Sequence, residues 1–359
     1  MEKKVLGILS IAVFTIGFQF LSAVNAQTST TVKSLPLPTP TPAPTVKPED
    51  EEIKIDTELV NISVRVIDRN NRPINNIPQN EFKIYEDGIL QKIDFFSKSE
   101  VPTNYSLVID NSGSLRSLID QVIEAGKILV SSNKQDDETA IIRFVSSDKI
   151  EILQDFSKNK TDLNDALDNM FIEGGQTAII DALFLSVERL NKQETPRKDL
   201  DRTRRAIVLV TDGEDRSSFY SEAQLIELLK ESDVQIFVVG FVKELSAEKG
   251  FISKSPQGKA KSFLERLSTA TGGKSYFPAS AGELNTIAKD IASELRTQYS
   301  IGYIPSNDRN DGTFRNIKVA LADGPNNQKR IAITRSGRTA DKDGQPPTMQ
   351  TPPQANKNP

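Results

Sequence analysis

The chain has 359 residues and a formal net charge of −4, and it contains neither cysteine nor histidine. The missing cysteine excludes disulfides, zinc–thiolate sites and thiol nucleophiles, and the missing histidine excludes Ser-His-Asp catalysis and imidazole metal ligands. No basic excess indicates binding to nucleic acid or to an anionic membrane surface, and the length allows one large core and a second, smaller one.

Residues 1–26 have the pattern of a cleavable export signal. Lys3 and Lys4 precede an apolar stretch over residues 5–20, and Val24-Asn25-Ala26 offers small residues at a cleavage site. We expect cleavage after Ala26 and a secreted, periplasmic or cell-envelope protein without a stable membrane span. An uncleaved anchor helix is the alternative, although the apolar stretch is marginal for the roughly 20 residues that cross a bilayer.

Two low-complexity segments flank the remainder of the chain. Residues 27–52 are rich in Thr and Pro, which predicts an extended, stiff linker. Residues 339–359 are rich in Pro, Gln, Asn and Lys, which predicts a disordered tail. Neither segment is expected to carry chemistry.

Residues 53–100 are predicted to be a β segment. Apolar and polar residues alternate over residues 60–66, as in a half-buried strand. A second strand begins near Phe82 and leads into Asp87-Gly88, which is typical of a tight hairpin. The returning strand is expected to contain three apolar residues, namely Ile93, Phe95 and Phe96.

Residues 101–296 alternate apolar runs with amphipathic stretches. The runs are typical of strands buried on both faces and comprise residues 107–109, 140–142, 207–210 and 236–239. The stretches with helical periodicity comprise residues 115–131, 177–190 and 221–230. This alternation predicts a doubly wound α/β domain with a mostly parallel sheet.

Residues 297–338 return to a β pattern, with three strand candidates at residues 299–304, 314–321 and 330–334. The segments at 53–100 and 297–338 are each small for an independent sandwich. We therefore expect them to pack together as one β-sandwich-like domain into which the α/β domain is inserted.

Three polar segments lie where loops leave the predicted sheet: Asp110-Asn111-Ser112-Gly113-Ser114, Gly174-Gly175-Gln176-Thr177-Ala178 and Thr211-Asp212-Gly213-Glu214-Asp215. The carboxyl ends of parallel strands meet at one edge, so we expect these loops to lie together. Their acids and hydroxyls offer the oxygen ligands that hard cations prefer. Each segment is also compatible with an ordinary turn, and Thr177 with a helix cap.

The three segments resemble the metal-ion-dependent adhesion site (MIDAS) of von Willebrand factor A domains, with a resemblance that covers roughly residues 104–292. It implies hydroxyl ligands from Ser112 and Ser114 and a third hydroxyl from Thr177, directly or through water. It implies charge from Asp110 and Asp212, largely through bound water. The implied cation is Mg²⁺, and Ca²⁺ or Mn²⁺ also suits such ligands.

The flanking segments at residues 61–66, 82–88 and 298–303 resemble exported von Willebrand A-related proteins known chiefly from acidobacteria. This second resemblance implies the architecture more than the function.

The leading functional hypothesis is an exported, non-catalytic module that binds a protein partner through a Mg²⁺-bridged carboxylate. A cation held by neutral hydroxyls and two acids stays electrophilic, so an acidic side chain of a partner could complete its shell. One alternative is a metal-dependent hydrolase with Glu214 or Asp215 as base. The other is a structural envelope scaffold with a vestigial metal site. The sequence does not indicate the oligomeric state.

Overall fold

The computed structural model describes residues 59–70, 72–98, 101–193, 203–245 and 255–340. The expected export signal, the Thr/Pro-rich linker and residues 341–359 of the expected tail lie outside the described residues. All the described residues belong to one compact unit. None of their helices is both long enough and apolar enough to cross a membrane.

Strands and helices follow one another along this unit. The first strands are β1 (Val60–Ile67), β2 (Phe82–Glu86), β3 (Ile89–Gln91) and β4 (Phe95–Ser97). The middle of the chain forms β5 (Thr103–Asp110), α1 (Ile119–Ser131), β6 (Glu138–Phe144), β7 (Ile150–Ser157), α2 (Lys160–Asp168), α3 (Ile179–Lys192), β8 (Arg204–Thr211), α4 (Glu222–Glu231), β9 (Val234–Gly240), α5 (Pro256–Thr271), β10 (Ser275–Tyr276) and α6 (Leu284–Arg296). The last strands are β11 (Tyr299–Tyr303), β12 (Phe314–Leu321), β13 (Ile331–Ile333) and β14 (Gly337–Thr339).

A six-stranded sheet forms the centre of the α/β part, with the strand order β10-β9-β8-β5-β6-β7. Its strands pair in parallel except for β7, which is antiparallel to β6. The predicted α/β class with a mostly parallel sheet is therefore confirmed. The chain leaves β5 toward β6 on one side and later returns to β8 on the other. Ligands of open α/β sheets bind at such a switch point, beyond the carboxyl ends of the strands.

Helices cover both faces of this sheet because its strands are apolar on both faces. Val108 faces the core that packs against α3, α4 and α5. Leu107 and Ile109 face the opposite core, which contains residues of α1, α2 and α6. Every residue of β5 is buried, so the position of Asp110 at the end of this strand is fixed from both sides.

Two four-stranded antiparallel sheets form the rest of the unit, in the orders β13-β1-β11-β4 and β14-β12-β2-β3. Both sheets contribute to one core, which contains Val60, Ile62, Val64, Val66, Ile77, Phe82, Ile84, Tyr299, Ile301, Tyr303 and Ile317. Strands from the two ends of the described chain pair directly, as β1 does with β11 and β2 does with β12. The α/β part thus lies between antiparallel segments of the chain.

The tight hairpin expected at Asp87-Gly88 is present after β2, but its returning strand contains other residues than expected. Asp87 and Gly88 both have positive φ, of 49° and 82°, so the returning strand starts directly at Ile89. A two-residue turn of this kind leaves no room for a longer loop. The prediction of Phe95 and Phe96 on the returning strand is wrong, because these residues form β4 and pair with β11 in the other sheet.

Helix α6 joins the α/β part to the antiparallel sheets and is held by buried ion pairs. Arg65 of β1 contacts Glu294 at 3.1 Å, and Lys274 contacts the same carboxylate at 3.3 Å. Near the end of α6, Arg296 pairs with the buried Asp137. At the other end of the chain, β14 extends to Thr339, one residue into the segment that was expected to be a tail.

Candidate metal centre

Asp110 is the innermost side chain of the candidate site. Its carboxylate is buried, and it accepts hydrogen bonds from the Thr211 hydroxyl at 2.7 Å and from the Ser112 amide at 2.9 Å. Burial raises the pKa of Asp110 to about 6, and the nearby charge of Asp212 acts in the same direction. The hydrogen bonds from Thr211 and Ser112 oppose this rise. A cation beside this carboxylate would offset the cost of burying its charge.

A row of oxygen atoms connects the first loop with the third. The hydroxyls of Ser112 and Ser114 lie 2.8 Å apart, and the Ser114 hydroxyl donates to Asp212 Oδ2 at 2.7 Å. Adjacent ligands of an octahedral Mg²⁺ site are about 2.9 Å apart, because each Mg–O bond is about 2.05 Å long. The distances between these oxygen atoms are typical of hydrogen bonds, and they also match the distance between neighbouring ligands of one hard cation. The donor set fits the implied metal.

Thr177 is placed beside both other loops by main-chain hydrogen bonds. The amide of Gly174 donates to Asn111 O at 3.2 Å, which ties the second loop to the first. The amides of Arg216 and Ser217 donate to Thr177 O at 2.7 and 3.1 Å, which ties the second loop to the third. The three segments singled out in the sequence therefore meet at one edge of the sheet, and Thr177 is buried there.

Two glycines are required by the shape of these loops. Gly213 follows Asp212 with φ +89°, and a Cβ atom at this position would lie 2.9 Å from a methyl carbon of Leu264. Gly175 has φ +140°, and its Cβ would lie 2.5 Å from Val145 Cγ1. Residues other than glycine rarely adopt backbone conformations with positive φ. The absent side chains therefore let the third loop pack against α5 and the second loop pack against Val145.

The acids next to Asp212 take part in other contacts. Glu214 forms an ion pair with Arg216. Asp215 accepts hydrogen bonds from the Ser218 hydroxyl at 2.6 Å and from the Ile180 amide at 3.2 Å, at the start of α3. Burial raises the pKa of Asp215, and these hydrogen bonds oppose the rise. Both acids therefore support the loop and the helix.

Asp181 has a structural position, in agreement with its place near a helix start. Its carboxylate accepts the amides of Phe219 at 2.8 Å and Tyr220 at 3.0 Å. The hydroxyl of Ser147, in the turn between β6 and β7, lies 2.5 Å from Asp181 Oδ2. Within the described ranges, no group of three or more acidic side chains is arranged to hold a metal. A cation at this sheet edge would therefore depend on hydroxyl ligands as well as on Asp110 and Asp212.

Sequence reasoning missed the role of Thr211. Its hydroxyl donates to Asp110 and accepts from the amide of Gly213 at 3.1 Å, so it fixes the buried carboxylate. The contact between Thr211 and Asp110 could have been inferred from the pairing of Ile109 with Val210, because this pairing places Thr211 opposite Asp110 on the neighbouring strand. This pairing follows from the strand order, which the sequence did not define.

Asn111 lies between two candidate ligands, Asp110 and Ser112, in the first loop. It is fully buried, and neither atom of its side-chain amide has a hydrogen-bond partner in the described part of the chain. Its main chain nevertheless joins the loops, because its amide donates to Phe144 O at 2.8 Å and its carbonyl accepts from Gly174. A buried amide without a hydrogen-bond partner is a local cost in stability at this loop.

The comparisons with known proteins concern the same region. The family model described as von Willebrand factor type A domain matches residues 106–290. No curated protein matches the chain. A von Willebrand factor type A structure from Catenulispora acidiphila is 10% identical, covers 71% of this chain and 73% of its own, and has a TM-score of 0.45.

Two further solved structures match part of the chain. An aerotolerance-related membrane protein from Bacteroides fragilis is 17% identical over 54% of this chain and 98% of its own, with a TM-score of 0.39. Proximal thread matrix protein 1 from the mussel byssus, described with a zinc-occupied MIDAS motif, is 19% identical with a TM-score of 0.43. That match covers 55% of this chain and 48% of the mussel chain, so the chain spans about half of that protein.

Proposed function

The chain belongs to the von Willebrand factor type A domain family, and from this membership we propose that it is a non-catalytic module that binds a partner protein through a divalent cation. Domains of this family commonly mediate protein–protein interaction through a MIDAS metal and are mostly non-catalytic. The proposed metal-site residues are Asp110, Ser112, Ser114, Thr177 and Asp212.

The row of oxygens from Ser112 through Ser114 to Asp212 carries the proposal. It joins residues that are 98 positions apart in the chain, at the switch point of the sheet, with the spacing of neighbouring ligands. A bound Mg²⁺ would supply positive charge that a carboxylate of the partner can approach. Ser112 and Ser114 would hold the cation through neutral hydroxyls, which do not cancel its positive charge. Asp110 and Asp212 would act largely through bound water, so the cation could still attract a carboxylate from the partner.

The proposed location is outside the cytoplasm. It rests on residues 1–26, whose two lysines, apolar stretch and small residues before position 27 have the order of an export signal. The absence of cysteine is compatible with this location, because the fold does not depend on disulfide formation.

Isothermal titration with Mg²⁺, Ca²⁺ and Mn²⁺ tests the metal site. Ser114→Ala should weaken binding by at least about tenfold, and Asp110→Ala/Ser112→Ala should abolish it. Ser117→Ala is the matched control, because Ser117 is an exposed serine three residues further along the same segment. Equal metal binding by wild type and both site variants would refute the assignment.

Chelation separates the binding module from the two alternatives. A metal-bridged partner should be released by EDTA and recaptured when Mg²⁺ is restored, whereas a scaffold with a vestigial site keeps its partner. The hydrolase alternative needs Glu214 or Asp215 as a free base, and both carboxylates are held by other groups. Metal-dependent turnover in a hydrolase screen that disappears in Glu214→Gln would overturn the non-catalytic assignment.

A further inference from the structure

Two half-exposed phenylalanines lie on the loops of the candidate metal centre. Phe171 is 56% exposed and precedes the loop of Thr177, and Phe219 is 50% exposed and follows the loop of Asp212. The other exposed large apolar side chains among the described residues belong to the antiparallel sheets and their turns: Ile89, Leu90, Ile304 and Ile331. Exposed aromatic rings in the described α/β part are thus found next to the site.

Phe219 is placed by the same contacts that place Thr177. Ser217 donates its amide to Thr177 O, and Phe219 lies two residues further along, at most about 7 Å of extended chain. The amide of Phe219 donates to the buried Asp181 at 2.8 Å. The backbone of Phe219 is therefore fixed beside the second loop.

Phe171 is connected to the first loop of the site through the second loop. It lies three residues before Gly174, whose amide donates to Asn111 O in the loop between Asp110 and Ser112. The guanidinium of Arg143, near the end of β6, lies 4.3 Å from the centre of the Phe171 ring. Arg143 is itself fixed by an ion pair with Glu151 at 2.6 Å.

Each ring is held on one side and open on another. The Phe219 ring meets Tyr220 edge to face at 5.1 Å, and Tyr220 stacks on Phe184 at 4.0 Å. The Phe171 ring rests against Arg143 in a cation–π contact. Rings fixed in this way lose little conformational freedom when a partner covers them, which is the property of aromatic anchors in protein interfaces.

We propose that the partner segment carries a large apolar side chain one or two residues from its metal-bridging acid, and that this side chain packs on Phe171 or Phe219. The inference rests on the proposed function, since the acid fixes the segment over the cation. The cation would select the acid, because the chain itself carries a net charge of −4 and would attract a carboxylate only where bound metal supplies positive charge. The rings then select the neighbouring residues by apolar burial.

A displayed peptide library tests the proposal. One Asp is fixed, two residues on each side are randomised, and a matched library carries Asn in place of Asp. Immobilised full-length protein selects from both libraries in Mg²⁺ and in EDTA. The readout is the enrichment of Phe, Tyr, Trp, Leu, Ile and Met at the randomised positions, together with the Mg²⁺-dependent preference for Asp over Asn.

The variants are Phe171→Ser, Phe219→Ser and the double variant, with Leu90→Ser as a control at a side chain that is 58% exposed in β3. We expect wild type and Leu90→Ser to enrich large apolar residues about fivefold or more in Mg²⁺. The double variant should lose this enrichment while it keeps its Mg²⁺ affinity and its preference for Asp. A variant with Leu at both positions should recover part of the enrichment that the double Ser variant loses. This recovery would show that the loss is caused by the missing apolar side chains and not by misfolding.

Two results overturn the inference and leave the proposed function standing. One is equal apolar enrichment by wild type and the double variant, and the other is Asp selection by wild type without any apolar preference. Wild-type dimerisation that the double variant lacks in sedimentation would assign the rings to a second copy of the chain, and also overturns it. If wild type selects neither Asp nor Mg²⁺-dependent peptides, the proposed function fails and the inference fails with it.

Discussion

Replacement of Asp110 by Asn should stabilise the metal-free protein at neutral pH while it removes metal binding. Asn has the same shape as Asp but carries no charge, so the carboxylate no longer has to be buried as an anion. The difference between a pKa of about 6 and the ordinary 3.8 corresponds to about 3 kcal/mol at high pH. The amide introduced by the substitution would meet the Thr211 hydroxyl in place of Oδ2, at a cost of about 1 kcal/mol. The net gain is therefore about 2 kcal/mol.

The pH dependence makes this expectation specific. The folded-state pKa of Asp110 is raised, so the wild-type protein keeps its full stability below pH 4, where the acid is protonated whether the chain is folded or unfolded. Stability is then lost as the pH rises from about 4 through 6. By the same figures, Asp110→Asn should be up to about 1 kcal/mol less stable than wild type near pH 4, overtake wild type as the pH rises toward 6, and keep a constant advantage above pH 7.

Urea unfolding in EDTA at pH 4, 6 and 8 measures the difference in stability between wild type and Asp110→Asn. The m-values show whether both proteins expose the same surface area on unfolding. Addition of Mg²⁺ should raise the midpoint of the wild type and leave that of the variant unchanged, because a ligand stabilises only a native state that binds it. An Asp110→Asn protein that is less stable than wild type at pH 8 in EDTA, or whose advantage does not change with pH, would refute the reasoning.

Three further substitutions test the packing around the site and the antiparallel sheets. Gly213→Ala should lower the free energy of unfolding by about 1–3 kcal/mol, because φ is +89° and a Cβ has no room; an unchanged urea midpoint would contradict this. Arg65→Met should destabilise by about 3 kcal/mol, since Glu294 stays buried with less compensation; a loss below about 0.5 kcal/mol would show that the ion pair is unimportant. Tyr303→Phe removes the 2.6 Å hydrogen bond to the Glu86 carboxylate and should lower stability by about 2 kcal/mol in thermal unfolding, with Tyr85→Phe as the half-exposed control.

The class of the fold was predictable because hydrophobic patterns differ between its parts. Continuous apolar runs predicted the buried strands that became β5, β6, β8 and β9, and alternation predicted β1. The edge strand β7 was not predicted. Its exposure varies irregularly along its length, and its pairing with β6 includes register shifts, so neither pattern is present in the sequence.

The candidate ligands could be named from the sequence because each loop follows an apolar run or precedes a helix with a recognisable pattern. What the sequence could not supply is the contact between loops. The hydrogen bond from Ser114 to Asp212 depends on β5 lying next to β8, a long-range pairing that no local propensity encodes. The same limit hid Thr211, whose role emerges once Val210 is paired with Ile109.

The pairing of β1 with β11 determines when the sandwich can be completed during synthesis. Ile67 ends β1 and Tyr299 begins β11, so 231 residues lie between a strand and its partner. A ribosome that adds about 5–20 residues per second needs roughly 10–50 s to make that interval. During this time the apolar face of β1 has no partner sheet, although the α/β part contains its own local strand and helix pairs. Chaperone binding to the emerging chain should therefore persist until the last strands are made, and deletion of residues 297–340 should leave an aggregation-prone product.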